Sequence, residues 1–485
     1  MAKTARRLGP QDMMFLYAES PATMMHVGAL MPFTPPPDAP ADFLRQLVDE
    51  SSENEVVDPW NLKLSSPDML TNPLQAWVYD DKFDLDYHVR RSALASPGDE
   101  RELGVLVSRL HGNALDLRRP PWELHFIEGL EGGRFAIYVK MHHALVDGYS
   151  GQRMLARSMS TDPHDTTHPL FFNIPTPGRV VPDAGESGGI VGSLLSGVSG
   201  VVSGVGGIAS GVGGLVGSVA GAGRSTLDFA RSMVNTQVRS DKEYGDLVGS
   251  IQAPHSILNG RISRNRRFAT QQYQLARLKA IGAANEATLN DVSLAIVGGG
   301  LRRFLDELGE LPDKSLIAML PVNVRPKDDE GGGNAVAAIL ATVGSDVADP
   351  VERLRVVTAS TRMAKAELAT MSRDAIMAYT GALLLPFGMQ LASTLTGVKT
   401  PLPYAFNLTV SNVPGPRDPL YLRGSRMEAS YPVSIAVHSQ ALNVTLQSYA
   451  DTLNFGFVGC RDTLPHLQRL AVYTGEALDE LESAL

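Results

Sequence analysis

Two adjacent histidines, His142 and His143, are the residues of this sequence best suited to acid–base chemistry. They follow a hydrophobic run at 134–141 that predicts a buried strand, and they precede Asp147 and Gly148. A buried strand fixes its backbone, so a side chain at its end can be held in a cleft. Gly148 is expected to permit a tight exit into a following helix. The position of the pair therefore suits a catalytic base.

A neutral imidazole, with an ordinary pKa near 6.5, can take a proton from an alcohol or amine as that group attacks a carbonyl. Such general-base assistance contributes roughly 10²- to 10⁴-fold in rate. Alternation along an extended chain should send His142 and His143 to opposite sides, so one of them suffices. Two other interpretations stay open: a pair of purely structural histidines, or metal ligation by one of them with Asp147. No third metal ligand occurs at a convincing spacing.

No nucleophile accompanies the histidines. The sequence has no Gly-x-Ser-x-Gly elbow, and Cys460 lies far along the chain among strand-like residues. The glycine triplets at 298–300 and 331–333 lack the continuation of a phosphate-binding loop and the spacing of a dinucleotide fingerprint. We therefore expect direct transfer between two bound substrates, with no bound cofactor and no metal.

Composition indicates a large folded protein. The chain has 485 residues, 44% of them apolar and 20% charged, which is enough for two domains. A single cysteine excludes an intramolecular disulfide and a four-cysteine zinc site, and it fits a reducing cytoplasm. The net charge of -9 argues against broad adhesion to nucleic acid. Charged residues interrupt the N-terminal apolar run, so no signal peptide is predicted.

The order of predicted elements indicates an α/β protein with two domains. We predict an N-terminal domain at 1–180, an interdomain segment at 181–262 and a C-terminal domain at 263–485. Predicted elements of the C-terminal domain include strands at 267–275, 316–322, 335–343, 405–411, 431–437, 441–449 and 453–458, and helices at 278–284, 290–308, 350–370, 375–394 and 464–481. Thr288 and Asn290 are the capping candidates for the helix at 290–308.

The stretch 187–223 contains no charged residue, and glycine, serine and valine dominate it. A seven-residue unit recurs within it, so its larger apolar residues return at helical spacing. A flexible linker, a surface helix on the protein or a membrane, and a membrane span are the three interpretations.

His142 to Gly148 matches the HHxxxDG motif of the CoA-dependent acyltransferase superfamily, which includes chloramphenicol acetyltransferase and peptide-synthetase condensation domains. Further stretches narrow the resemblance to the bacterial wax ester synthase/acyl-CoA:diacylglycerol acyltransferases. These stretches are 15–19, 25–28, Pro-Pro-Trp-Glu at 120–123, Asn-Asp-Val at 290–292, Pro-Val-Asn-Val-Arg-Pro at 321–326 and Ser-Asn-Val-Pro-Gly-Pro at 411–416. The similarity covers nearly the whole chain, although Pro121 stands where the family motif usually has leucine.

The resemblance implies two chloramphenicol-acetyltransferase-like domains with the active-site tunnel between them. It implies that His143, beside His142, is the base, and that Asp147 is structural and pairs with an arginine. The implied substrates are a long-chain acyl-CoA and a fatty alcohol or diacylglycerol, giving a wax ester or a triacylglycerol. Competing hypotheses are a condensation-type enzyme acting on a carrier-bound thioester, a non-catalytic lipid-droplet protein and a metal-dependent hydrolase.

Further residues are predicted near this site. Asn290 and Asp291 either support the site or cap their helix, Trp122 packs in the core near the cleft, and Ser411 and Asn412 end a strand before a turn. Candidates for binding the CoA phosphates are Arg302, Arg303, Arg325 and Lys327, which could equally form a solvated face. We expect a cytoplasmic protein that associates peripherally with the membrane or with lipid inclusions.

Overall fold

The computed structural model describes residues 6–52, 54–66, 75–146, 148–175, 248–249, 252–323, 336–372, 375–376, 379–381, 383–384, 387, 390 and 404–485. Several sequence predictions therefore lie outside the described residues, namely those for Asp147, the stretch 187–223, Arg325, Lys327, the glycines 331–333 and much of the helix at 375–394.

The strands form three sheets. In chain order they are β1 Arg6–Arg7, β2 His26–Thr34, β3 Leu62–Leu64, β4 Ala76–Tyr79, β5 Val89–Ala93, β6 Trp122–Glu128, β7 Phe135–His142, β8 Arg266–Gln274, β9 Ile317–Asn323, β10 Val336–Thr342, β11 Leu408–Val413, β12 Tyr421–Leu422, β13 Ser425–Met427, β14 Tyr431–Val433, β15 Leu442–Tyr449 and β16 Thr452–Cys460. The smallest sheet has the order β1-β4-β3.

Helices cover the two large sheets. They are α1 Pro10–Ala18, α2 Phe43–Ser52, α3 Leu85–His88, α4 Glu100–His111, α5 Gly148–Ala156, α6 Leu275–Ala284, α7 Leu289–Glu307, α8 Pro350–Ala369 and α9 Gln468–Ser483. Of the helices in the described part of the chain, none combines the length and the apolar content needed to cross a membrane.

The first large sheet carries the histidine pair. Its order is β12-β13-β2-β7-β6-β5, and β14 also pairs with β2. Strand β7 lies at its centre, antiparallel to β2 and β6, and every residue of β7 is buried. The prediction of a buried strand leading into the histidines is thus confirmed, shifted by one residue.

The second large sheet has the order β10-β9-β11-β15-β16-β8. Its strands and helices follow the predicted order along the chain, with ends displaced by up to four residues. Helix α7 packs against α8 and α9. A Cβ at Gly298 would lie 1.8 Å from the Val343 carbonyl oxygen, and one at Gly300 would lie 2.6 Å from the Thr474 hydroxyl. The glycine triplet therefore serves close packing.

The C-terminal half of the chain contributes strands to the sheet of the N-terminal half. Strands β12, β13 and β14 come from the C-terminal half but pair within the first sheet. The strand predicted at 431–437 is thus shorter than expected and joins the other half through β2. Leu258 and Ile262, from the predicted interdomain segment, are buried in a core cluster that contains α7, β15 and β16.

Candidate active site

The backbone at the histidine pair is held from both neighbouring strands. His142 lies opposite His26 of β2, and its N–H donates to the Pro121 carbonyl at 2.9 Å. The His143 N–H donates to the Met25 carbonyl at 2.8 Å. Since β7 is central in the sheet, the main chain here has little freedom to move.

The side chain of His142 is enclosed. Its exposed fraction is 1%, and its Nδ1 accepts the Ala144 N–H at 3.1 Å. A neutral His142 therefore carries its proton on Nε2, which lies 3.5 Å from the Glu19 carboxylate. The ring of His142 is therefore shielded from solvent.

The side chain of His143 is partly exposed. Its ring stacks on Phe15 with centroids 3.9 Å apart and planes 19° apart. The three residues that follow it are buried, and α5 begins at Gly148. Of the two histidines, His143 is the more exposed.

Gly148 is not required by local sterics. Its φ is not in the left-handed region, and a Cβ there would have no described atom within 4 Å. The expectation that glycine is needed for a tight exit from the strand is therefore not supported. Asp147, beside it, lies outside the described residues.

A buried ionic cluster lies next to the histidines. The Lys140 side chain is fully buried, and its Nζ lies 3.1 Å from Glu123 of β6. His125 and Arg90 also contact the Glu123 carboxylate, at 3.3 and 3.4 Å. Burial by itself would raise the pKa of Glu123, but the hydrogen bond from His125 and the charges of Lys140 and Arg90 lower it to about 2.

This cluster also closes the end of α4. Lys140 donates to the carbonyls of Leu110 and Asn113, at 3.1 and 2.9 Å, and His26 donates to that of His111 at 2.9 Å. The last carbonyls of a helix lack hydrogen-bond partners within the helix, and these side chains provide donors at the end of α4.

Burial lowers the pKa of His111 to about 3, and the charge of Arg266 lowers that pKa further. His111 is thus a neutral structural group.

Trp122 is a core residue, as predicted. It is fully buried, its indole N–H donates to the Trp60 carbonyl at 2.7 Å, and its ring stacks on His88 and Phe172. It begins β6 and lies opposite Met141, so it is at the end of β6 nearest the histidines.

The Asn-Asp pair divides into two roles. Asp291 is buried and forms a capping box with Thr288, and it also accepts the Thr361 hydroxyl at 2.6 Å. Asn290 instead accepts from the Asn412 side chain at 2.5 Å. The structure therefore joins two separately predicted residues, Asn290 and Asn412, at the start of α7.

Strand β15, which pairs with the stretch beginning at Ser411, contacts the helix that follows the histidines. In the parallel pair of β11 and β15, Ser411 lies opposite Thr445 and Val413 opposite Gln447. The Gln447 side chain donates to Gln152 of α5 at 2.9 Å. This contact brings the second sheet to the helix beginning at Gly148.

Two predicted phosphate ligands have partners within the C-terminal half. Arg302 donates to the carbonyls of Ser345 and Asp346, both at 3.1 Å. Arg303 pairs with Glu476 at 2.6 Å and Glu480 at 3.0 Å on α9. These contacts favour the structural interpretation of both arginines.

Several residues around the histidines were not identified from sequence. They are Phe15, Glu19, Lys140, Gln152 and Gln447. Phe15 and Glu19 belong to a stretch that shows the family resemblance, but nothing in the sequence indicates which residue they touch. In the described ranges, no cluster of three or more histidine, cysteine or acidic residues is arranged to hold a metal.

Two family models match the chain. The wax ester synthase/diacylglycerol acyltransferase catalytic domain matches residues 8–293, and the C-terminal domain of the same family matches residues 332–482. Together they include every predicted site residue except Arg302, Arg303, Arg325 and Lys327.

Relatives align along the full chain. A putative diacylglycerol O-acyltransferase of Mycobacterium tuberculosis is 76% identical over 491 residues, covering 100% of this chain and 98% of that protein. A probable diacylglycerol O-acyltransferase of the same species is 40% identical over 479 residues, covering 98% of each.

Solved structures show the same architecture. The wax ester synthase/diacylglycerol acyltransferase from Marinobacter aquaeolei VT8 superposes with a TM-score of 0.74 at 33% identity, covering 99% of both chains. The first condensation domain of the calcium-dependent antibiotic synthetase superposes with a TM-score of 0.55 at 13% identity, covering 99% of this chain and 96% of that one. The second likeness concerns the fold alone.

Proposed function

Because the chain belongs to the wax ester synthase/diacylglycerol acyltransferase family and is an acyltransferase, we propose that it acts on a long-chain acyl-CoA. The acceptor is the hydroxyl of a long-chain alcohol or of a diacylglycerol, and the product is a wax ester or a triacylglycerol. His143 is the general base.

One observation carries the assignment of the base. His142 is buried with its Nδ1 occupied by a backbone N–H, whereas the His143 ring is partly exposed at the end of a fixed strand. A base must come within hydrogen-bond reach of the proton that it removes. Of the pair, His143 is the one whose exposure allows such an approach.

The proposed reaction is a direct transfer. His143 takes the hydroxyl proton as the alcohol oxygen attacks the thioester carbonyl. The tetrahedral oxyanion then collapses, the carbon–sulfur bond breaks, and the imidazolium returns the proton to the departing CoA sulfur. The base ends in its starting form, so the cycle needs neither a covalent acyl-enzyme nor a bound cofactor.

The substrates favour work at a lipid surface. Burying a sixteen-carbon chain at about 0.8 kcal/mol per methylene contributes on the order of 12 kcal/mol, which is sufficient for an apolar tunnel between the two halves to hold it. We propose peripheral association with the membrane or with lipid inclusions, on the cytoplasmic side. Arg325 and Lys327 stay candidates for the CoA phosphates, because Arg302 and Arg303 have other partners.

The test is a product assay with purified protein. Palmitoyl-CoA is offered with hexadecanol and with dioleoylglycerol in separate reactions, and both ester and free CoA thiol are measured. We expect His143→Ala to lower kcat by roughly 10²- to 10⁴-fold. His164→Ala, which removes an exposed histidine outside the site, is the matched control and should leave turnover unchanged. A His143→Ala protein with near-wild-type turnover would refute the assignment.

A further inference from the structure

The N-terminal helix α1 and the residue that caps its end, Glu19, contact the two histidines. Phe15 stacks on the His143 ring, and Glu19 lies 3.5 Å from Nε2 of His142. Neither side chain has a part in the proton transfer described above, so their contacts with the pair need another explanation.

Glu19 is also connected to the backbone of His143 by two hydrogen bonds that meet at Met25. Its carboxylate accepts the Met25 N–H at 2.5 Å, and the Met25 carbonyl accepts the His143 N–H at 2.8 Å. A hydrogen bond to a charged acceptor is roughly twice as strong as one between neutral groups. Glu19 thus anchors Met25, the residue whose carbonyl binds the His143 backbone.

The loop between Glu19 and Met25 is itself held in place. Ser20 and Thr23 exchange two backbone hydrogen bonds, at 2.9 and 3.1 Å, and Thr23 is fully buried. Arg266 of β8, in the C-terminal half, donates to the Ala22 carbonyl at 2.6 Å. The loop therefore connects the histidine pair rigidly to the second sheet.

We propose that Phe15 and Glu19 are positioning residues for the base, which rests on His143 being that base. Phe15 sets the plane of the imidazole by covering one of its faces. Glu19 sets the backbone of His143 through Met25 and the orientation of His142 through Nε2. Neither residue exchanges a proton with a substrate, and both act by keeping the basic nitrogen aimed at the acceptor hydroxyl.

Positioning predicts a specific kinetic signature. A misplacement of about 1 Å in a reacting group can cost 10²-fold in rate. Loss of an interaction that aligns the base lowers kcat, whereas binding of the acyl and alkyl chains is unchanged and KM stays constant. A purely structural role would instead reduce the folded fraction and leave the kcat of the folded enzyme intact.

The experiment compares disruptive and conservative variants, with kcat expressed per folded molecule. We expect Phe15→Leu and Glu19→Ala to lower kcat about 10- to 100-fold with KM within about twofold of wild type. Phe15→Tyr keeps the aromatic face, and Glu19→Gln keeps an oxygen acceptor, so both should retain most of the activity. Met14→Ala, on the exposed side of the same helix, is the matched control.

The outcomes separate this proposal from the proposed function. Near-wild-type kcat in Phe15→Leu and Glu19→Ala, beside an inactive His143→Ala, overturns the positioning role and leaves the base assignment standing. Equal losses in the conservative and disruptive variants also overturn it. An active His143→Ala refutes the proposed function directly. If Glu19→Ala does not fold, the Phe15→Leu and Phe15→Tyr pair decides the question.

Discussion

Lys140 is the most deeply buried charge beside the histidines. Its ammonium group has Glu123 and two backbone carbonyls as partners. A buried ion pair adds little net stability relative to apolar packing, but removal of one partner leaves an uncompensated charge and costs about 3–5 kcal/mol. The cluster therefore makes the environment of β7 sensitive to the charge state of Glu123.

That sensitivity predicts how stability depends on pH. The pKa of Glu123 is lowered from its usual value to about 2, so its charge contributes stability that is present above about pH 4.5 and is lost as pH falls toward 2. We expect Glu123→Gln to be less stable than wild type by about 3–5 kcal/mol near neutral pH, and the difference to shrink below about pH 4.5. Urea unfolding at a series of pH values measures it. A difference that is constant from pH 7 to 3 would contradict the role of Glu123.

Some residues of the candidate site could be predicted from the sequence and others could not, for physical reasons. The histidine pair could be identified because its chemistry and its place after an apolar run are local properties. Lys140 could not, because a lysine in a strand usually faces solvent, and its burial depends on Glu123 and on the end of α4. The assignment of Arg302 to CoA phosphates similarly missed carbonyl partners more than 40 residues away.

At the scale of elements, the start of α7 shows how one motif can hold two roles. Asp291 accepts from the Thr288 backbone and hydroxyl and from Thr361, so its bonds are internal to the C-terminal half. Asn290, next to it, is bound across to Asn412. The Asn-Asp motif thus combines a helix cap with a link between α7 and β11.

We expect Asp291→Ala to lower stability without changing turnover. It removes the capping interaction and leaves the buried Thr361 hydroxyl without its carboxylate, at a combined cost of about 2–4 kcal/mol. Thermal unfolding and kcat per folded molecule are the two measurements, and Asp291→Asn, which keeps an acceptor oxygen, is the milder control. A loss of kcat beyond the loss of folded protein would place Asp291 in the active site.

Most elements of the C-terminal half could be predicted because hydrophobic periodicity and caps are local signals. Thr288 as a cap and the ends of α7 are confirmed to within one residue. Strands β12 and β13 have two or three residues each, too few for a period-two pattern to identify, whereas β14 is the start of the strand predicted at 431–437. Strands β13 and β14 pair with β2, near the start of the sequence, and β12 pairs with β13. Only the folded chain therefore reveals that the C-terminal half extends the first sheet.

At the scale of the whole molecule, the site depends on contacts that join the two halves. Arg266 holds the Ala22 carbonyl, and the Phe268 N–H donates to Ser108 of α4 at 2.9 Å. At Gly456 of β16, an added Cβ would lie 1.8 Å from the Pro432 carbonyl of β14. Because β14 pairs with β2, the two large sheets are in near-backbone contact at that point. The proposed base, His143, directly follows β7, which is the next strand after β2 in the sheet.

A matched pair of glycine substitutions tests this dependence. Gly456→Ala must push β14 away from β16, and we expect a cost of about 1–3 kcal/mol together with a lower kcat, because the histidines and the second sheet separate. Gly104, within α4, lies at the same junction of the two halves. In Gly104→Ala the added Cβ would be 3.5 Å from the Phe268 carbonyl oxygen, which is an ordinary van der Waals contact. That variant should be neutral or more stable by roughly 0.5–1 kcal/mol, with kcat unchanged. Thermal unfolding and the ester assay measure both variants. If they behave alike, the close approach of the sheets has no part in placing the base.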